Sequence, residues 1–155
     1  MYYIEDTKKG DLSHFKKAML KKKNDTLCLY IHTKRNLELT ETLRLKERTY
    51  SLLWLLDKTK TAMGSRLLKE MIENPLVNKK EILRRQNLIS NFLVEFIYKE
   101  ELRELLNNVY DLERLSGRVT YGNVNARDLL QLKRSLGVLP EIKKILTSIN
   151  YDKTF

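Results

Sequence analysis

From Ser51 to Leu76 the chain reads SLLWLLDKTKTAMGSRLLKEMIENPL, an apolar stretch broken once by polar residues and closed by a proline. That pattern limits the fold to short buried helices joined by a fixed turn. Leu52, Leu53, Leu55 and Leu56, with Trp54, predict a first apolar helix. Asp57-Lys-Thr-Lys-Thr then supplies residues that favour caps and turns, because their short polar side chains compete for backbone hydrogen bonds. Beyond them Met63, Leu67, Leu68, Met71 and Ile72 recur at helical spacing, leaving Arg66, Lys69, Glu70 and Glu73 for other faces. Pro75 disfavours helix at Asn74, so the second helix stops there. The stretch reads as a core and not as a catalytic centre, with Ser65 after Gly64 serving close helix packing.

The rest of the chain predicts a mainly α fold, a helical bundle-like core with one small N-terminal β-hairpin. Tyr2 to Lys9 reads as the end of a helix stopped by Gly10. Phe15 to Ile31 places two apolar segments around the turn-prone Lys23-Asn24-Asp25, which favours a hairpin, with a helix over His14–Lys22 as the competitor. Leu27, Leu29 and Ile31 alternate with Cys28 and Tyr30, the pattern of a strand, with Cys28 as a small buried thiol. Thr33 can cap a short helix through Leu37. Asn78 and Glu81 have capping-box spacing before a long helix with a break near Tyr98, Asp111 opens a further segment, and Asn125 with Asp128 repeats the cap. The last of these helices carries Leu129, Leu132, Leu136 and Leu139 inward, and Gly137 and Pro140 mark a kink or a fresh start. Asn150 to Phe155 are expected to fray.

At 155 residues and 42% hydrophobic content the chain is sized for one domain. It has no run of eighteen apolar residues and no basic-then-apolar start, so no membrane partner and a cytoplasmic location are expected. A single cysteine excludes an internal disulfide. His14 and His32 have no further ligand at metal spacing, Ser51, Ser65 and Ser116 have no histidine nearby, and Met63-Gly-Ser-Arg66 lacks the lysine of a phosphate-binding loop. No catalytic set emerges.

The formal net charge of +10 points instead to a polyanion. The excess leans to the N-terminal part: residues 1–60 hold fourteen Lys or Arg against eight Asp or Glu, and residues 61–155 hold sixteen against twelve. Lys16-Lys17, Lys21-Lys22-Lys23 and Lys34-Arg35 are candidates for DNA backbone contact, although no aromatic series suited to base stacking interleaves with them, and solvated or edge-protecting lysines give the same pattern.

Leu55-Leu-Asp-Lys-Thr-Lys-Thr-Ala-Met-Gly-Ser-Arg-Leu-Leu68, with Thr33-Lys-Arg-Asn-Leu-Glu-Leu39 before it and Glu73-Asn-Pro-Leu76 after it, resembles the core region of the bacterial MutS family of DNA mismatch repair proteins. Tyr110-Asp-Leu-Glu-Arg-Leu115, Arg118, Asn125-Ala-Arg-Asp-Leu129 and Leu139-Pro-Glu-Ile142 fit the same region in the same order, and Tyr3 to His14 is similar to the exit from the family's connector domain. The resemblance implies that residues 1–12 are the end of a connector helix and linker, residues 13–150 the first segment of the core, and residues 151–155 a tail. The family's Phe-x-Glu mismatch-reading motif, clamp and Walker-type ATPase are absent from the sequence, so a fragment is expected, with no enzymatic activity and no cofactor of its own; ATP and Mg belong to the family's ATPase domain. Its implied partners are the other domains of such a protein and, in the full-length context, mismatched duplex DNA and a second subunit. A paralogue without the mismatch-reading domain is disfavoured by the connector-like start. On this resemblance Asp57 and Thr59 fix the break between the two organising helices, Gly64 permits close approach, Arg66 offers a planar donor fork, and Asn36 holds the junction between hairpin and helix.

Overall fold

Thr26 is where the described part of the chain begins; residues 26–149 of the computed structural model are described here. Seven helices follow in order: α1 (Ile31–Asn36), α2 (Leu52–Leu56), α3 (Ala62–Glu73), α4 (Lys79–Val94), α5 (Phe96–Asn107), α6 (Leu112–Thr120) and α7 (Ala126–Ser148). Helix packs on helix throughout, α2 with α3, α4 with α5, and α5 and α6 each with the long α7. The described residues contain no β-strand.

The first arm of the expected hairpin lies outside the described residues, and its second arm is not a strand. Thr26 makes an isolated antiparallel bridge to Leu76, and the Leu27 amide donates to the Pro75 carbonyl at 2.8 Å. The backbone after Thr26 therefore finds its partner in the link between α3 and α4. Helix α1 begins at Ile31, capped by Tyr30 without a side-chain hydrogen bond, so Thr33 lies inside it and does not cap it. Lys34 and Arg35 in its last turn complement the negative end of the helix dipole. Without a sheet to cover it, Cys28 is exposed, not buried.

Between α1 and α2 the chain doubles back. The Leu52 and Leu53 amides, which a helix start leaves without intrahelical partners, donate to the Glu38 and Leu39 carbonyls at 3.0 and 2.9 Å. Ser51 caps α2 by accepting from the Trp54 amide at 3.2 Å while its own hydroxyl donates to the Arg48 carbonyl at 2.6 Å. Both bonds run through a side chain that is almost wholly buried. Of the apolar residues in α2 only Leu53 is buried; Leu52, Trp54, Leu55 and Leu56 are exposed, because a five-residue helix with one packing partner has one inner face.

Helix α3 ends at Asn74, as Pro75 requires, and Asn74 Nδ2 donates to the Glu70 carbonyl at 3.2 Å. In α4 the capping box is incomplete: Asn78 accepts from the Lys80 amide at 3.0 Å, and Glu81 pairs with Arg84. The break between α4 and α5 falls at Glu95, three residues before the expected Tyr98, with no glycine or proline to mark it. A full box starts α7, where the Asp128 amide donates to Asn125 Oδ1 at 2.8 Å and the Asn125 amide donates to Asp128 Oδ2 at 3.3 Å. Pro140 neither ends α7 nor restarts it. The missing donor falls opposite the carbonyl of half-exposed Leu136, where water can reach it. The inward face of α7 holds Asp128, Ser135, Ile145 and, at its end, Ile149, whereas Leu129, Leu136 and Leu139 are exposed.

Candidate functional site

The polar elbow between α2 and α3 is built on Asp57. One carboxylate oxygen accepts from the Thr59 amide at 3.1 Å and the Thr59 hydroxyl at 2.6 Å. The other accepts from the Ser65 hydroxyl at 2.6 Å and from the Arg48 guanidinium. The Asp57 side chain is 10% exposed. The Ser65 hydroxyl, then Thr59, and least of all Arg48 hold its carboxyl well below the usual carboxylate range. Thr61 caps α3 by accepting from the Gly64 amide at 3.0 Å, and a Cβ on Gly64 would lie 3.0 Å from Thr61 Oγ1 and 3.4 Å from Thr59 Cβ. The close approach at Gly64 is thus to the elbow's own threonines.

One turn along α3, Arg66 points away from the elbow. Its Nη1 and Nη2 donate to the two oxygens of Asp111 at 2.8 Å each, and its Nε donates to Glu113 at 3.0 Å. This two-pronged contact, followed by the Arg114 amide at the start of α6, holds Asp111 down at about 2. The same carboxylates raise Arg66 above its already high value. A second arginine makes a single contact: Arg118 of α6 donates to buried Asp128 of α7 at 2.8 Å. Ser135, fully buried, accepts from the Tyr110 amide at 2.9 Å and donates to the Gln131 carbonyl at 2.9 Å.

These contacts form successive ties from the loop before α2 to the middle of α7, and each satisfies its charges. Ser65 donates its proton to the Asp57 carboxylate, and among the described residues no imidazole is bonded to it. Among the described residues no cluster of three or more His, Cys, Asp or Glu could hold a metal ion. Every buried side-chain polar atom there has a hydrogen-bond partner. Such an arrangement fixes helices relative to one another.

Of the residues singled out in the sequence, Asp57, Thr59 and Gly64 come together at the elbow, and Arg66 leaves it for α6. Asn36 is the exposed last residue of α1 and takes no part in this network. Lys34 and Arg35 line a groove with His32, Lys46, Glu41 and Glu73. Lys21, Lys22 and Lys23 lie outside the described residues. Sequence reasoning missed Arg48, Ser65, Asp111, Glu113, Asp128 and Ser135 as members of the network. For the last two a signal existed: polar residues seven apart in an apolar helix share its inner face.

Residues 32–154 match the family described as MutS domain III. The chain belongs to that family. The MutS domain III match begins in α1 and takes in the elbow, the Arg66 fork and both α6 and α7. Among similar proteins, the DNA mismatch repair protein MutS of Staphylococcus aureus is 51% identical over 150 residues, covering 97% of this chain and 17% of its own length. That of Staphylococcus haemolyticus is 51% identical over 148 residues, covering 96% of this chain and 17% of its own length. The Bacillus subtilis protein of the same name is 49% identical over 151 residues, covering 97% and 18%. The chain thus spans about a sixth of the length of these relatives.

Proposed function

We propose that this chain acts in DNA mismatch repair as the structural core of a MutS-type ATPase, with residues 13–150 as the first core segment, and that it carries mechanical state between connector, clamp-bearing levers and ATPase without chemistry of its own. The observation that carries this reading is the series of charge-assisted ties, Arg48 to Asp57, Arg66 to Asp111 and Arg118 to Asp128, which couples α2, α3, α6 and α7. ATP, Mg, mismatched duplex and the second subunit belong to the longer protein. A direct test replaces the matching segment of the Bacillus subtilis relative with this chain and measures mutation frequency. The chimera is expected to repair mismatches, and Arg66→Gln in it to raise mutation frequency with the chimera still folded. Full repair by the Arg66→Gln chimera, or ATP turnover by the pure 155-residue chain, refutes the proposal.

A second reading, an autonomous DNA-binding module that takes any sequence, has one observation in its favour. Lys34, Arg35 and Lys46 line one groove and none makes an ion pair among the described residues. Titration of the isolated chain with duplex DNA at near-physiological salt separates the two. A steep salt slope that flattens on replacing Lys34 and Arg35, or Lys21, Lys22 and Lys23, supports the module.

A further inference from the structure

The groove beside α1 brings together three kinds of side chain that a plain phosphate site does not need. Its volume is about 530 Å³, within the range of ligand clefts, roughly 300–1,000 Å³. Lys34 and Arg35 from α1 and Lys46 from the loop before α2 line it, and none of the three makes an ion pair among the described residues. Two carboxylates line it as well. Glu41 is exposed and makes no ion pair among the described residues, and Glu73 meets Lys69 Nζ only at 4.0 Å. Leu29 and Ile31 add apolar surface, and His32 adds an exposed imidazole ring.

The backbone holds the groove in shape. The Leu39 amide donates to the Lys34 carbonyl at 3.3 Å, the Leu52 amide to the Glu38 carbonyl at 3.0 Å and the Lys46 amide to the Thr42 carbonyl at 3.1 Å. Glu38 Oε1 accepts from the Leu43 amide at 2.7 Å. Helix α1 and the loop before α2 are thus tied to each other before any ligand arrives.

The mixture of groups decides what fits. Free phosphate or an acidic peptide satisfies the cations but sets negative charge against Glu41 and Glu73. A duplex carries its phosphates on a convex outside and shows its base edges only within its own grooves, which a concave wall does not enter. An unpaired strand answers all three kinds of group: phosphates for the cations, a base face for the ring and apolar wall, and a base amino group for a carboxylate.

We propose that this groove binds an unpaired nucleic-acid strand, with phosphates on Lys34, Arg35 and Lys46, one base against His32 and Ile31, and the amino group of that base donating to Glu41. His32 is the one ring lining the groove, so one base is held there and its neighbours contribute phosphates alone. The inference rests on the second reading, whose basic groove it uses, and it changes the ligand from duplex to single strand.

Fluorescence anisotropy of the 155-residue chain with labelled oligodeoxycytidine, oligothymidine and a duplex of equal length tests it. Oligodeoxycytidine is expected to bind about tenfold more tightly than oligothymidine, which has a carbonyl where cytosine has its amino group, and more tightly than the duplex. Glu41→Gln keeps binding but brings the two strands close to equal affinity, because an amide can accept from cytosine or donate to thymine. Lys34→Ala with Arg35→Ala, folded by circular dichroism, weakens both strands alike and flattens the salt slope by about 1.4, the value for two phosphate contacts to a single strand. Equal affinity of the unaltered chain for the two strands, or a cytidine preference that survives Glu41→Gln, overturns the proposal. So does free deoxycytidine monophosphate that displaces the strand at equal concentration, which would give the groove to a lone nucleotide. Tighter binding of the duplex overturns it and leaves the second reading standing, whereas no binding of strand or duplex removes both.

Discussion

Asp57 accepts from one amide and two hydroxyls and faces one guanidinium, so the fold around the elbow is built for its ionised form. The largest share comes from Ser65 and Thr59; Arg48 is half-exposed and adds little, as solvent-screened pairs do. The folded carboxyl is held below its unfolded value, so its stabilisation is fully present above the unfolded value, about 3.9, and is lost as pH falls through the lower folded value. Asp111 behaves the same way and is spent near its folded value of about 2. Stability should therefore fall steeply with acid below pH ~4. Asp57→Asn keeps the volume but puts an amide donor where a carboxylate oxygen accepted, so donor faces donor. At neutral pH it should cost about 2 kcal/mol, with a shallower stability profile between pH ~4 and ~2. Urea unfolding across that range decides it: a variant whose loss of stability is the same at both ends contradicts the charge argument.

The bounds of the α2–elbow–α3 unit were legible in the sequence, since every determinant is local: the apolar run, the polar interruption, the capping threonine, and Pro75 at the end. Its expected burial was not: α2 buries Leu53 alone and α3 buries none of its residues. The break at Glu95 and the uninterrupted α7 were not. The first has no glycine or proline, and the second contains a proline whose lost hydrogen bond falls on a solvent-facing turn. The strand expected over Leu27–Ile31 failed because alternation over five residues also fits an exposed segment entering a helix, and only the pairing of Thr26 with Leu76 decides between them. In the candidate site, the local members Asp57, Thr59 and Gly64 could be read directly. The partners of Arg66 could not, since they lie 45 and 47 residues away. Gly64 shows what this unit tolerates. Alanine would gain about 1 kcal/mol of helix propensity, but its Cβ would press on Thr61 Oγ1, the hydroxyl that caps α3, at 3.0 Å. The two effects should nearly cancel. Gly64→Val adds branched bulk against Thr59 and should cost about 2 kcal/mol, lowering Tm by roughly 4–8 °C in a chain of this size. An unchanged midpoint for valine removes the close-approach argument.

Taken whole, the described residues divide into a smaller body, α2 with α3, and a larger one, in which α5 and α6 pack on α7 and α4 packs on α5. Few buried apolar side chains belong to either, so the ties between them carry unusual weight. Two such ties stand out among the described residues: the covalent link through Pro75 that Thr26 and Leu27 brace, and Arg66, which crosses from α3 to Asp111 and Glu113 at the start of α6. Arg66 is 40% exposed along its side chain, so screening limits what the pair adds to global stability. Its effect should appear in cooperativity instead, because a geometrically fixed, bidentate contact is what makes opening of one body felt by the other. Arg66→Gln is therefore expected to leave Tm within about 3 °C of the unaltered chain. Hydrogen exchange should nevertheless quicken in α2 and α3 together, several-fold more than in α5 and α7. Asp111→Asn should give the same pattern more weakly, since it leaves the Arg66–Glu113 contact, and the two substitutions combined no more than Arg66→Gln alone, which already removes both contacts. Exchange that rises equally in all helices would place the coupling in the Pro75 link and not in the arginine.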